Sequence, residues 1–243
     1  GHVGGGARAE LLLGSAELGL DAVAQRGHKP RFGADASFPL GEVDVSAEVA
    51  LRTGKDAPRW TLREGGDRAN FADWRASEWD FITPAAVIGA EWSWKYSDED
   101  LLRVGGEYSY DRAGYTDAHV YPVLLYSPYV PGDSRTAYTP FYLGRHYAAV
   151  FVNVPKPGRW NDTTFTLSVV GNLSDGSAIA RLDHAVVVNT YLTVESYVAG
   201  HLGAQGGEFR FGGTIPAQGS IGTPELVIPT PVLDLGVALR MKL

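Results

Sequence analysis

The last eleven residues of the chain, 233–243, constrain its fold more than any other segment. Side chains of an extended strand alternate between two faces with a period of two. Here every second residue is apolar and the residues between them are small or charged, as the run Leu-Asp-Leu-Gly-Val-Ala-Leu-Arg-Met-Lys-Leu shows. A strand that crosses a membrane in a β-barrel needs about 9–11 such residues, with one face toward lipid and the other toward a polar interior. The segment therefore predicts a membrane-spanning strand.

The same alternation recurs along the chain in pairs of runs that flank short turns. Runs 32–38 and 43–51 flank a turn at 39–42, and runs 86–96 and 101–110 flank a turn at 97–100. Two alternating runs around a short turn predict a β-hairpin. The pattern predicts an all-β chain built from consecutive antiparallel strands.

One run, 141–154, has apolar residues on both faces. We assign its lipid-facing side to the row Ala148, Val150, Val152 and Val154, which turns Arg145 and Asn153 inward. The alternation alone leaves the face of this run ambiguous.

The lengths of the links between the runs give an independent indication. Links near 14, 40, 98, 156 and 190 are short, whereas those at 53–82, 111–138 and 203–230 are long. Outer-membrane barrels have short turns on the periplasmic side and long loops outside. A soluble β-sandwich, the alternative fold, gives no reason for this regularity.

Eleven runs are clear, and 207–213, which contains Glu208-Phe209-Arg210-Phe211, is also strand-like. Single-chain bacterial barrels usually have an even number of strands. We therefore predict one domain over 1–243, an antiparallel up-and-down transmembrane β-barrel of about twelve strands. The only methionine is Met241, so we expect a trimmed or processed N-terminus from which any signal peptide has been removed.

Composition disfavours several other classes. The chain has no Cys, which excludes disulfides, zinc–thiolate sites and thiol nucleophiles. Its net charge of -7 and the lack of a basic cluster disfavour nucleic-acid binding. The six His show no metal-ligand spacing, and Gly4-Gly5-Gly6 lacks the rest of a phosphate loop. We expect no cofactor and no metal.

Taken together, the alternating strands, alternating link lengths, interfacial aromatics and C-terminal strand resemble a Gram-negative outer-membrane β-barrel that is broadly porin-like. The C-terminal strand is similar to the sorting signal of such barrels, although Leu243 stands where the last residue is commonly aromatic. The resemblance implies an outer-membrane location, with outer-membrane lipids and the barrel-assembly machinery as partners. It also implies passive passage of small polar solutes, without catalytic residues.

Two sets of candidate residues follow from the predicted faces. The predicted lumen-lining residues are Asp44, Glu48, Arg52, Glu91, Lys95, Arg103, Glu107, Arg145, Arg181, Asp183, Glu195, Asp234, Arg240 and Lys242. The predicted aromatic girdles at the two membrane interfaces are Trp92, Trp94, Tyr96, Tyr108 and Tyr110.

Two other functions remain open. In the first, the lumen is closed and the barrel is an anchor or scaffold; the apolar 53–82 and 111–138 loops then bind a protein partner, or simply pack on one another. In the second, the barrel is a lipid hydrolase, since His184 and Ser196 fall on the same lipid-facing side of adjacent strands.

Overall fold

The structure, a computed structural model, describes residues 3–54, 58–79, 81–97, 100–126, 142–219 and 222–241. Its strands are β1 (Gly4–Leu13), β2 (Ala16–Gln25), β3 (Arg31–Leu40), β4 (Val43–Thr53), β5 (Arg59–Leu62), β6 (Trp74–Ser77), β7 (Ile82–Lys95), β8 (Leu101–Asp111), β9 (His146–Pro155), β10 (Thr163–Asn172), β11 (Ser177–Asn189), β12 (Leu192–Gly203), β13 (Gly213–Ile215), β14 (Leu226–Ile228) and β15 (Leu233–Met241). The described helices are α1 (Val120–Tyr126) and 3-10 turns at Phe71–Asp73 and Glu208–Arg210. No described helix combines the length and the hydropathy that a membrane crossing requires.

Eleven of these strands form one antiparallel sheet in the order β1-β2-β3-β4-β7-β8-β9-β10-β11-β12-β15. Each strand pairs with the strands before and after it along the chain, apart from the short strands of the long links. The predicted all-β, antiparallel, up-and-down architecture is therefore confirmed. The predicted number of twelve is wrong for the described residues, which form eleven strands in this sheet and fifteen in all.

The segment 207–213, a candidate twelfth strand, does not pair with the sheet. The backbone N–H of Glu208 donates to Asp175 Oδ2 at 2.8 Å, and that of Phe209 donates to Ser177 Oγ at 3.1 Å. Because side chains take these donors, Glu208–Arg210 closes as a 3-10 turn instead of extending a ladder.

The two outer strands of the sheet, β1 and β15, do not pair with each other in the described part of the chain. Eleven strands that alternate in direction leave the first and the last parallel to each other. Both run from the end of the sheet that carries the long links to the end that carries the short turns.

The register assigns each side chain to a face, because directly opposite residues of an antiparallel pair lie on the same side. Val150 lies opposite Gly106 and Val152 opposite Val104, so the lipid-facing row chosen for 141–154 lies on the same face as the apolar row of β8. The strand itself begins later than predicted, at His146. Residue 141 lies outside the described residues.

The apolar face of the sheet, here called the outward face, has no second layer of protein on it in the described chain. Large side chains there remain open to the surroundings, among them Ile88, Val150, Leu167, Leu235 and Val237. A β-sandwich would bury this row against another sheet. The described residues provide no such sheet, since the other two sheets have only two strands each.

The long links instead form a cap, defined as 58–79, 112–126, 142–145, 204–219 and 222–232, at one end of the sheet. Its dry core contains Trp60, Phe71, Trp74, Val120, Tyr121, Val123, Leu124, Leu143 and Ile215. The apolar interior of the molecule thus lies in the cap, while the sheet exposes its apolar side chains.

Candidate functional site: the polar inner face and its cap

The face of the sheet opposite the outward face, here called the inner face, carries the predicted lumen-lining residues that lie in the strands. Asp44 lies directly opposite Glu91, and Glu195 opposite Ala238. Arg145 precedes β9 and lies where the inner face meets the cap, and Lys242 lies outside the described residues. The lumen-lining role of the set stays a prediction.

Most charges on the inner face are paired with one another. The pairs include Arg8 with Asp35 at 2.8 Å, Arg52 with Asp111 at 2.6 Å, Arg103 with Glu91 at 3.9 Å, Arg181 with Asp183 at 2.6 Å, and Arg240 with Glu195 at 2.8 Å. All these groups are partly exposed, so each pair contributes only about 0–1 kcal/mol to stability. Their main effect is to reduce the net charge of this wall.

Four acids on the inner face have no cationic partner among the described residues: Glu17, Asp44, Glu48 and Glu107. Asp44 and Glu107 line a cavity of about 640 Å³ against β3, β4, β7, β8 and β9, together with Glu91 and Ser46. No Lys or Arg of the described part of the chain lines that cavity. A second cavity of about 310 Å³ lies nearer the cap and is lined by Glu48 and, again, by Glu107. This part of the wall is therefore negatively charged.

Several long inner-face side chains lie flat across glycines of a neighbouring strand. The Tyr197 ring covers Gly236, and the Arg181 guanidinium stacks 3.8 Å from the centre of the Tyr197 ring. The Arg8 and Asp35 side chains meet over Gly19. Because the glycines have no side chain, these bulky groups rest against the wall and leave the space beside it open.

Four of the predicted girdle residues lie within paired strands, and their register places them on the outward face near the two ends of the sheet: Trp92, Trp94, Tyr108 and Tyr110. The Trp92 and Trp94 rings stack near the short turns with centroids 6.5 Å apart. Tyr108 lies near the opposite end, where its hydroxyl is 2.6 Å from His146 Nδ1. Whether these rings meet a membrane interface stays a prediction.

A buried polar cluster attaches the cap to the sheet. Asn172, at the end of β10, donates through Nδ2 to Asp175 Oδ2 at 2.9 Å and to Glu208 Oε2 at 2.9 Å. The Tyr121 hydroxyl of α1 donates to Asp175 at 3.0 Å, and the Tyr147 hydroxyl of β9 donates to Glu208. Burial raises the pKa of the Glu208 carboxyl and of the Tyr121 hydroxyl. The cluster connects three links that are distant in sequence.

The helix α1 shows how the apolar 111–138 link is used in its described part. Val120, Val123 and Leu124 are buried in the cap core, with the aromatic side chains of the 53–82 link around them. The two links therefore pack on one another. Residues 127–141 lie outside the described residues.

The pair considered for a lipid hydrolase lies in register on the outward face. His184 is directly opposite Ser196, and its Nδ1 is 3.4 Å from Ser196 Oγ. The His184 ring stacks on Phe165 with centroids 4.7 Å apart. No carboxylate contacts His184 among the described residues, so a third catalytic group to orient the imidazole is missing there.

Sequence reasoning did not identify a group of arginines that the cap brings together. Arg59, Arg112 and Arg145 line one pocket of about 170 Å³ with Trp60 and Trp74. Arg59 and Arg112 come from links without a periodic pattern and Arg145 from the run 141–154, so nothing in the sequence indicates that they meet. The described residues contain no cluster of His, Asp and Glu suited to a metal ion.

The sequence matches no protein-family model and no curated protein. Among solved structures, the chain is similar to OmpT (in-vitro folded), an outer membrane protein of Vibrio cholerae in its trimer form. The identity is 8%, the TM-score is 0.44, and the match covers 97% of this chain. This chain spans 64% of the length of that protein.

Proposed function

We propose that this chain is a porin-like outer-membrane β-barrel protein through which small polar solutes diffuse passively. The observation that carries the proposal is the division of one eleven-stranded sheet into two unlike faces. Its outward face is apolar and uncovered, and its inner face is polar and bears charges of both signs. Contiguous apolar surface of this extent marks a membrane or protein contact rather than water.

The inner face supports passage of solutes. The two cavities of about 640 and 310 Å³ both lie along it and share Glu107 as a lining residue. The side chains that lie flat over glycines keep space beside the wall open. In this proposal the strands close into a barrel, because the bilayer core does not tolerate a sheet edge with unsatisfied backbone groups.

The main alternative is a barrel that serves as an anchor or scaffold. The observation that favours it is the cap, which has a dry core of its own and binds the end of the sheet through Asn172 and Glu208. A cap that blocks the lumen would stop conduction. It would also present the outer links to a partner protein.

Conductance in planar bilayers separates the two functions. The detergent-folded chain is added to a bilayer under an applied voltage, with a heat-denatured sample as the control. Stepwise current increases support the channel. Correct insertion without current above that of the control contradicts it and favours the anchor.

We further propose that the protein is not an enzyme, with the lipid hydrolase as the less favoured possibility. The favouring observation for hydrolysis is the 3.4 Å separation of His184 and Ser196. Ser196→Ala tests it on a phospholipid substrate. Hydrolysis by the unmodified chain that Ser196→Ala abolishes would establish the enzyme, whereas no hydrolysis by the unmodified chain would dismiss it.

A further inference from the structure

We propose that the cap contains a binding pocket for a small organic anion, a carboxylate or phosphate carried on a single ring. The pocket has a volume of about 170 Å³ and lies between β5, the start of β6, the 112–117 segment and the start of α1. Its size admits a fragment-sized ligand, since drug-sized ligands occupy roughly 300–1,000 Å³.

The charge of the pocket favours an anion. Three arginines line it, Arg59, Arg112 and Arg145, and none of them has a carboxylate partner among the described residues. The one acid in the lining, Asp117, is already engaged by Arg68 Nε at 3.0 Å and by His119 Nδ1 at 2.7 Å. Guanidinium groups bind carboxylates and phosphates through two parallel hydrogen bonds.

Two buried donors in the lining also lack acceptors. Trp60 is only 2% exposed, and its Nε1 has no hydrogen-bond partner among the described residues. Arg145 Nε is also buried and finds no partner in the described part of the chain. Buried donors nearly always have an acceptor, and leaving a buried donor without a hydrogen bond costs about 1–3 kcal/mol. An acceptor-rich ligand in this pocket would satisfy both.

The arginines are held in place before any ligand arrives. The Arg59 guanidinium lies 5.5 Å from the Trp79 ring centre and 5.6 Å from that of Phe81, and Arg112 lies 5.0 Å from the same Phe81 ring. The backbone of Arg145 is fixed on both sides, by Ser174 Oγ and by the N–H of Asp111. Such preorganisation reduces the entropic cost of binding.

The aromatic walls favour a ligand with a ring over a bare inorganic ion. Trp60, Trp74, Trp79 and Tyr115 line the pocket beside the arginines. The pocket opens to the outside where Thr61, Arg112 and Thr116 are exposed. A ring packed on the aromatic side chains would direct its acidic group toward the guanidiniums.

Isothermal titration calorimetry on the full, detergent-folded chain tests this pocket with four probes: benzoate, phenyl phosphate, inorganic phosphate and neutral benzamide. We expect benzoate or phenyl phosphate to bind at least tenfold more tightly than benzamide, which has no negative charge. The same difference is expected from inorganic phosphate, which has no ring. Equal binding of benzamide, or no binding of either ring anion, would overturn the proposal.

Variants locate the binding site. Arg59→Gln and Arg145→Gln should each weaken binding of the ring anions roughly tenfold, because each removes charge-assisted hydrogen bonds. Arg75→Gln is the matched control, since Arg75 is exposed in the cap, does not line the pocket and forms no ion pair with another described residue. Equal weakening by all three would show only a diffuse charge effect and overturn the site.

Trp60→Phe keeps the ring and removes the orphan donor. It should lower the affinity for the ring anions because the orphan donor is lost, and the stability of the ligand-free chain is measured beside it because the smaller ring leaves a cavity in the core of the cap. Unchanged affinity would contradict a role for Nε1. The binding measurements do not depend on current through a bilayer, so failure of the channel proposal leaves them interpretable.

Discussion

The ring of Phe151 on β9 lies directly over Gly105 on β8, on the inner face of the sheet. A Cβ atom on residue 105 would overlap that ring. The two residues therefore depend on each other: the absence of a side chain at one position allows the other to lie flat against the wall.

We expect Gly105→Val to displace the Phe151 ring away from the wall, into the space along the inner face through which the proposed channel would pass solutes. Single-channel conductance should fall, and overpacking should cost about 1–3 kcal/mol of stability. Removing the displaced ring in Gly105→Val/Phe151→Ala should restore the conductance. Normal conductance of Gly105→Val, or no recovery of conductance in the double variant, would show that this pair of residues does not control the width of the channel.

Neutralising the shared acid of the two cavities should reduce preference for cations. Glu107→Gln removes a charge that no described cation balances, and rings of acidic side chains select cations in channels. The permeability ratio of K⁺ to Cl⁻, measured from the reversal potential in a salt gradient, should fall by up to roughly fivefold, equivalent to about 1 kcal/mol for a charge pair in water. Glu64→Gln, in the exposed cap, removes the same charge away from the wall and should leave the ratio unchanged.

The two faces of β10 should respond oppositely to a positive charge. Leu167→Lys places an ammonium on the outward face and should destabilise the folded chain by about 2–4 kcal/mol in a bilayer if residue 167 lies near the midplane. Thr166→Lys, one residue away, points to the inner face opposite Asp183 and should be tolerated. Urea unfolding in lipid vesicles measures both. Equal stabilities would mean that the outward face does not meet hydrocarbon.

Attachment of the cap should weaken as the pH rises. Burial raises the pKa of Glu208 above its ordinary value. At a pH between the pKa of the unfolded state and that of the folded state, the folded state therefore binds more protons. The stabilisation by protonated Glu208 is complete below the unfolded pKa of about 4.5 and is lost as the pH rises through the folded value, at about 1.4 kcal/mol per unit of difference. Protease sensitivity of the cap, measured against pH, follows this change.

The matched variant for that titration is Glu208→Gln, which cannot ionise. Its cap should lack the component of the pH dependence that the unmodified chain shows from about 4.5 upward. It should also lose stability at every pH, because one amide cannot accept from Tyr147, Asn172 and Leu143 together. A pH dependence identical to that of the unmodified chain would assign the titration to other groups.

The sheet could be predicted from the sequence because its faces follow a period of two. Val150 and Val152 of β9 lie on the outward face as predicted, although their strand has apolar residues on both sides. Strand ends were less accurate, as the late start at His146 shows, since apolar residues continue before that boundary.

The cap could not be predicted in the same way, because its order comes from contacts between distant links. Glu208 is held by Asn172 and Tyr147, which lie on different strands, and no local pattern indicates these partners. The same holds for Arg59 and Arg145, which line one pocket although 86 positions separate their numbers in the chain. Aromatic content of the links indicated packing, but not which charged groups the packing would bring together.

The common direction of β1 and β15 restricts how the wall can be completed. If the two strands join directly, their seam is parallel, with the evenly spaced, slanted hydrogen bonds of such a pair. If the seam is antiparallel throughout, an odd number of additional strands must stand between them, supplied by further chain or by another molecule. The cysteine-free sequence makes the distinction accessible to disulfide trapping, because single cysteines placed on β1 and β15 would have no competing thiol.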